Sequence, residues 1–190
     1  MLRVATRLSR ALALGLFMLA APIAAQAQVS VNMQTGQLLA NDGLSPGQYR
    51  WQPEAESAQG ALSIVVSTSL QRAYVFRGNT LIGVSTVSTG QPGYDTPTGR
   101  FTILEKQVFH RSSLYDDAPM PFMQRLTWDG VALHAGPIPR SGAPVSHGCI
   151  RLPRAFAQRL YGMSALGTAV LVTDATPETP EEALTLASVG

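Results

Sequence analysis

The 190-residue chain has 14 Lys and Arg, 12 Asp and Glu, and one cysteine. Its pI of ≈ 9.0 comes from Arg3, Arg7 and Arg10: without residues 1–27 the chain holds 11 basic and 12 acidic side chains, a net charge of −1, which excludes the broad basic face that nucleic-acid binding needs. A single thiol cannot make an internal disulfide, so Cys149 is a buried apolar residue, an intermolecular link or a reactive group.

The three arginines precede an apolar run, Ala11 to Ala21, and a small-residue site, Ala25-Gln26-Ala27. That is the pattern of a secretory signal peptide, cleaved after Ala27. The run is short for a membrane span, so an exported protein with no stable span after cleavage is expected. What remains is long enough for one domain with its own core.

Residues 28–60 are rich in Gln, Gly, Asn, Ser and Pro without a sustained period, and read as an irregular leader with a candidate docking spot at Tyr49-Arg50-Trp51. The domain proper is expected over residues 61–173. Leu62 to Ser67 is a short β-branched run, and Gln71 to Arg77 and Thr80 to Ser88 flank Gly78-Asn79, a β-hairpin pattern. A loop rich in Gly, Pro and Thr over residues 89–99 leads into one alternating strand expected over 100–107. Residues 108–123, with His110, Tyr115 and Pro119-Met120-Pro121, form a long irregular stretch of the kind that is usually functional. Residues 124–128 and 131–134 read as a second hairpin across Asp129-Gly130. Pro153 to Tyr161 is a helix with Phe156 and Leu160 on one face and Gly162 at its end, and residues 168–173 are a last strand. The tail 174–190 has four acids and no base, the composition of a mobile, solvated segment with at most a frayed helix over 181–186. A mostly β domain with one clear helix after the motif region buries such strands as a sandwich or barrel.

The chemistry-bearing residues are Leu133-His134-Ala135-Gly136 and, after a Pro- and Gly-rich loop, Ser146-His147-Gly148-Cys149-Ile150-Arg151-Leu152. A thiol attacks carbonyls as thiolate, so it needs a base, and a histidine at a strand end can serve once the loop brings both ends together. Gly148 permits close backbone approach, and a tight turn over 147–149 would aim N–H groups at a developing oxyanion. Ser146 reads as a turn or pocket hydroxyl, His147 as a bridge between loops, and His110 as a loop residue. No cofactor or metal is expected: a zinc site from His134, His147 and Cys149 would lack a paired ligand spacing.

The string Ser146-His147-Gly148-Cys149-Ile150-Arg151 with upstream His134 resembles the signature of the YkuD-type L,D-transpeptidases. Thr96-Pro97-Thr98-Gly99-Arg100-Phe101 and Ser88-Thr89-Gly90 resemble two further segments of that family. The resemblance covers roughly residues 61–173. It implies a β-rich catalytic fold, a periplasmic site of action, and peptidoglycan stem peptides as donor and acceptor. Cys149 would be the nucleophile, His134 the base, and a backbone carbonyl at Ala135 or Gly136 would orient the imidazole. Many members have Asn where this chain has Arg151, whose planar fork would hold a substrate carboxylate or brace the motif loop. Residues 115–128 and 133–137 resemble a branch from alpha- and betaproteobacteria that joins L-alanine at the first stem position to diaminopimelate. A hydrolytic L,D-carboxypeptidase and a non-catalytic peptidoglycan-binding domain are the alternatives, and a monomer is the expectation for assembly.

Overall fold

The computed structural model describes residues 43–188. The expected signal peptide, with its cleavage after Ala27, and residues 28–42 of the leader lie outside the described residues. Ten strands and two α-helices follow in chain order: β1 (Tyr49–Trp51), β2 (Leu62–Ser67), β3 (Arg72–Arg77), β4 (Thr80–Thr86), β5 (Gly99–Thr102), β6 (Glu105–Gln107), β7 (Met123–Arg125), β8 (Ala132–Ala135), β9 (Ile150–Leu152), α1 (Arg154–Met163), β10 (Ala169–Thr173) and α2 (Pro180–Ser188). Six strands form one sheet in the order β1-β4-β3-β2-β10-β5, and four form a second in the order β6-β7-β8-β9.

Strand alternation explains the layering. Ile64, Val66, Ala73, Val75, Val170 and Val172 of the large sheet pack with Leu133, Ala135, Ile150 and Leu152 of the small sheet and with Phe156 and Leu160 of α1. The intervening residues Val65, Tyr74 and Phe76 point the other way, into a second cluster with Ala183 of α2. Successive side chains of a strand face opposite sides, so the centres of β2 (Ile64 to Val66) and β3 (Ala73 to Phe76) are apolar at consecutive positions because both faces are covered. The result is a mostly β sandwich. The β3–β4 hairpin turns at Gly78-Asn79 as expected, with Arg77 paired to Thr80. Gly78 has φ +55°, and a Cβ there would lie 2.7 Å from the Gln59 carbonyl oxygen, so both conformation and space call for glycine.

Four expectations are corrected. The single strand over 100–107 is two strands in different sheets: β5 pairs with β10 and β6 with β7. The chain turns the corner at buried Ile103, whose N–H goes to Thr168 and whose carbonyl accepts from Gly167; strands that switch sheets make such corners. Part of the leader belongs to the fold: β1 pairs with β4, and Trp51 stacks on Phe156 at 4.5 Å, over Gly83, where a Cβ would meet the indole at 2.5 Å. α1 runs past its expected end at Tyr161 to Met163, so that Gly162 is its second-last residue and Ser164 the cap. That end is held by Lys106, whose Nζ donates to the carbonyls of Tyr161 (2.7 Å) and Ser164 (2.6 Å), a cation at the negative pole of the helix. The tail is not a free solvated segment: α2 covers the outer face of the large sheet, and Arg100 donates to the carbonyls of Leu186 and Ala187 at its C-terminus.

Candidate active site

Register places the chemistry on one face of the small sheet. Leu133 pairs with Ile150 and His134 with Arg151 across parallel strands β8 and β9, and Arg125 pairs with Ala132 across β7 and β8. Because Leu133 and Ile150 face the core, the alternate residues Arg125, Ala132, His134, Cys149 and Arg151 share the opposite face. That face is the floor of a cavity of ≈ 360 Å³ lined by Cys149, His134, Arg125, Arg151 and, from the other side, residues of the 110–120 segment such as Tyr115 and Met120. The long irregular stretch therefore lies over the cleft.

His134 is buried, 6% exposed. Its Nδ1 is 3.0 Å from the Ala135 carbonyl oxygen; a carbonyl only accepts, so Nδ1 carries the proton and Nε2 keeps its lone pair. Of the two carbonyls expected to orient the ring, Ala135 does so, while the Gly136 N–H donates to Leu152. Burial lowers the His134 pKa to about 4, partly offset by the Ala135 contact, with Arg151 and His110 lowering it further. Half-buried Cys149 packs against Met120, Met123 and Ala132, and its Sγ lies 3.5 Å from the Gly130 carbonyl oxygen. Burial pushes its thiol up from the ordinary 9.0, against a backbone hydrogen bond from Ala132 and the guanidinium charges of Arg151 and Arg125. At neutral pH the pair is thus thiol and neutral imidazole.

The turn before Cys149 is tied from several sides. Ser146 Oγ donates to the Cys149 carbonyl at 2.6 Å and accepts from the Gly148 N–H at 3.1 Å, so Ser146 is a brace. Gly148 has φ +107°, a region that side-chain-bearing residues avoid. Of the N–H groups of residues 147–149 expected to face an oxyanion, that of Gly148 is already bonded to Ser146 Oγ. Thr96 Oγ1 donates to the Gly148 carbonyl at 2.8 Å and accepts from the Gly90 N–H at 2.9 Å, while Thr89 and Gln91 bond the backbone of Ser146. Gly90 admits no side chain, since a Cβ would sit 1.9 Å from the Tyr94 carbonyl oxygen. The two outlying family-like segments thus build the wall behind the cysteine.

His147 does bridge loops, by ring contact rather than hydrogen bonding: Tyr115 stacks on it at 4.6 Å and 14°, and Tyr94 meets it edge-on at 4.5 Å. Gly136 leaves room for the stem of Arg151, whose carbons would lie 3.0–3.2 Å from an added Cβ. Sequence reasoning missed Thr96 as a brace and Arg125 as a wall of the cavity. Among the described residues no cluster of three metal-binding side chains occurs.

Comparison with known proteins points the same way. The model of the YkuD family, the L,D-transpeptidase catalytic domain, matches residues 62–172. Probable L,D-transpeptidase 3 of Mycobacterium tuberculosis is 34% identical over 106 residues, which cover 48% of this chain and 39% of that protein; the match thus spans well under half of the curated relative. Among solved structures, an L,D-transpeptidase from Stackebrandtia nassauensis is 27% identical with a TM-score of 0.56, over 65% of this chain and 62% of that one. L,D-transpeptidase 3 of Mycobacterium tuberculosis in complex with a faropenem-derived adduct is 29% identical with a TM-score of 0.54, over 60% of each chain.

Proposed function

This chain belongs to the YkuD family of L,D-transpeptidase catalytic domains, and from that premise we propose that it cross-links peptidoglycan in the periplasm through an acyl-enzyme on Cys149. The observation that carries the reading is the placement of His134 and Cys149 on one face of adjacent strands, inside one cavity, with Nδ1 of His134 held by the Ala135 carbonyl.

In the proposed reaction Nε2 of His134 takes the Sγ proton as Sγ attacks the carbonyl carbon of an L-configured residue in the donor stem. The tetrahedral intermediate collapses when His134 returns that proton to the departing nitrogen, releasing the D-residue as an amine and leaving a thioester. An acceptor amine then attacks the thioester, gives its proton to His134, and the thiol is restored as the new amide forms. Burial raises the thiol and lowers the imidazole to about 4, so moving the proton from one to the other ahead of attack is uphill. Proton transfer therefore accompanies attack, and His134 acts as a general base rather than as half of a standing ion pair. Water in place of the amine would give carboxypeptidase trimming. The resemblance of residues 115–128 and 133–137 to the L-alanine-to-diaminopimelate branch supports that bond as the product.

Export rests on Arg3, Arg7 and Arg10, the apolar run to Ala21 and the Ala25-Gln26-Ala27 site. The nucleophile is tested with faropenem, the source of the adduct on the Mycobacterium tuberculosis relative. Intact-protein mass spectrometry should show a covalent adduct on the wild type and none on Cys149→Ala; an adduct that survives the substitution rules out Cys149.

A further inference from the structure

Two guanidinium groups share the floor of the cavity with Cys149, and both have terminal N–H donors that no acceptor among the described residues takes. Arg151 follows Cys149 by two residues on the same face of β9, roughly 6.6 Å along the strand. Among the described residues its guanidinium has no hydrogen bond or ion pair with the protein; only its stem packs, over Gly136. It braces no part of the motif loop through that group. Arg125 lies in the same cross-strand row as Ala132, whose N–H reaches Cys149. Its Nε donates to Glu105 Oε2 at 2.6 Å, and no protein acceptor among the described residues takes its two terminal nitrogens. Its side chain is only 17% exposed.

Glu105 fixes Arg125 in place. The carboxylate also accepts from Gln107, whose Oε1 meets His110 Nδ1 at 3.0 Å, so the guanidinium is backed by a chain of polar contacts running to the covering segment. Ala132, between Arg125 and Cys149, has no side chain long enough to close the space between them. Both guanidinia favour the anionic form of the thiol, so their charge reaches the reacting atom. Asp129, exposed at the rim, is the cavity's acid apart from Glu105 behind Arg125. Half-buried donors of fixed fork geometry and no acceptor fit a carboxylate better than any neutral group.

We propose that Arg125 and Arg151 form a carboxylate site that seats the α-carboxylate of the D-residue on the leaving side of the scissile bond. This inference rests on the acyl-transfer reading above and adds a specificity determinant to it. The group it names is separated from the attacked carbonyl carbon by three bonds, so it falls within about 5 Å of that carbon, between Cys149 and the two guanidinia. Holding it orients the scissile amide over Sγ and selects peptides in which the D-residue after the bond carries a free carboxylate.

The test uses three synthetic donor peptides: one with a free α-carboxylate on the D-residue, one with that carboxylate as carboxamide, and one with only the diamino acid's side-chain carboxylate amidated. Release of the D-residue is followed as kcat/KM for the wild type, Arg125→Gln and Arg151→Gln. Charge-assisted hydrogen bonds predict that the wild type prefers the free acid over its carboxamide by about 10- to 100-fold. Each substitution should lower the rate on the acid far more than on the carboxamide, because the weaker support for the thiolate slows both substrates alike and cancels in their ratio, so the ratio collapses. Arg151→Gln removes no hydrogen bond of the protein to itself, which keeps the result clear of folding defects. An unchanged acid-to-amide ratio in both variants overturns the carboxylate site, as does an arginine-dependent loss that tracks the side-chain amide instead. If the wild type cleaves none of the peptides, the acyl-transfer reading fails and the site falls with it.

Discussion

Acidification should destabilise this protein through His134 in a way one substitution can isolate. In the unfolded chain the imidazole titrates at its ordinary 6.5, and burial in the fold lowers it to about 4. Between those values the unfolded chain binds a proton that the folded protein refuses, so stability falls as pH drops through 6.5 and levels off below about 4. The difference amounts to about 3 kcal/mol by pH 4. For a chain of this size that is a shift in Tm of about 10 °C. The assay is thermal unfolding followed by circular dichroism from pH 7.5 to pH 4, for the wild type and for His134→Gln. Carboxylates such as Glu105, held below its ordinary range chiefly by its hydrogen bond to Arg125, titrate in both proteins and cancel in the comparison. The wild-type Tm should drop more steeply by about 10 °C over that range. Parallel curves would refute the claim that His134 is buried neutral.

Alkylation of Cys149 by iodoacetamide should rise about tenfold per pH unit through neutrality and inflect above pH 9, because burial raises the thiol; a plateau already reached at pH 6 would indicate a standing ion pair. Gly90→Ala forces a Cβ to 1.9 Å from the Tyr94 carbonyl, so the loop behind the cysteine must move. Calorimetry should show a loss of about 1–3 kcal/mol, together with slower faropenem acylation. Ser146→Ala removes the hydroxyl that joins the Cys149 carbonyl to the Gly148 N–H. A cost of about 1–3 kcal/mol in denaturant unfolding is expected for the groups left unpaired.

The placing of Cys149 and His134 in one site was legible because their residue types are scarce and close in sequence: one cysteine, three histidines, and a Gly- and Pro-rich loop to join the two ends. The β3–β4 hairpin was legible for a similar reason, since a two-residue Gly-Asn turn dictates its own geometry. What escaped depends on partners distant in sequence. Nothing local at Ile103 announces a change of sheet; the corner exists because β10 claims one half of the run and β7 the other. The docking of α2 was signalled outside the tail itself. Ile64-Val65-Val66 and Ala73-Tyr74-Val75-Phe76 are apolar at consecutive positions, which a strand with one wet face would not be. Arg125 belongs to the cavity only because register sets it across Ala132 from the cysteine, and Thr96 braces Gly148 over a separation of 52 residues.

The most direct measurement is incubation of the purified protein with isolated peptidoglycan, followed by mass spectrometry of the digested muropeptides. The expected result is new peptide-linked dimers with an L,D bond made by the wild type and absent with Cys149→Ala and with His134→Gln. Dimers that persist with Cys149→Ala would contradict the cysteine acyl-enzyme, and shortened monomers without dimers would assign the protein to hydrolysis instead.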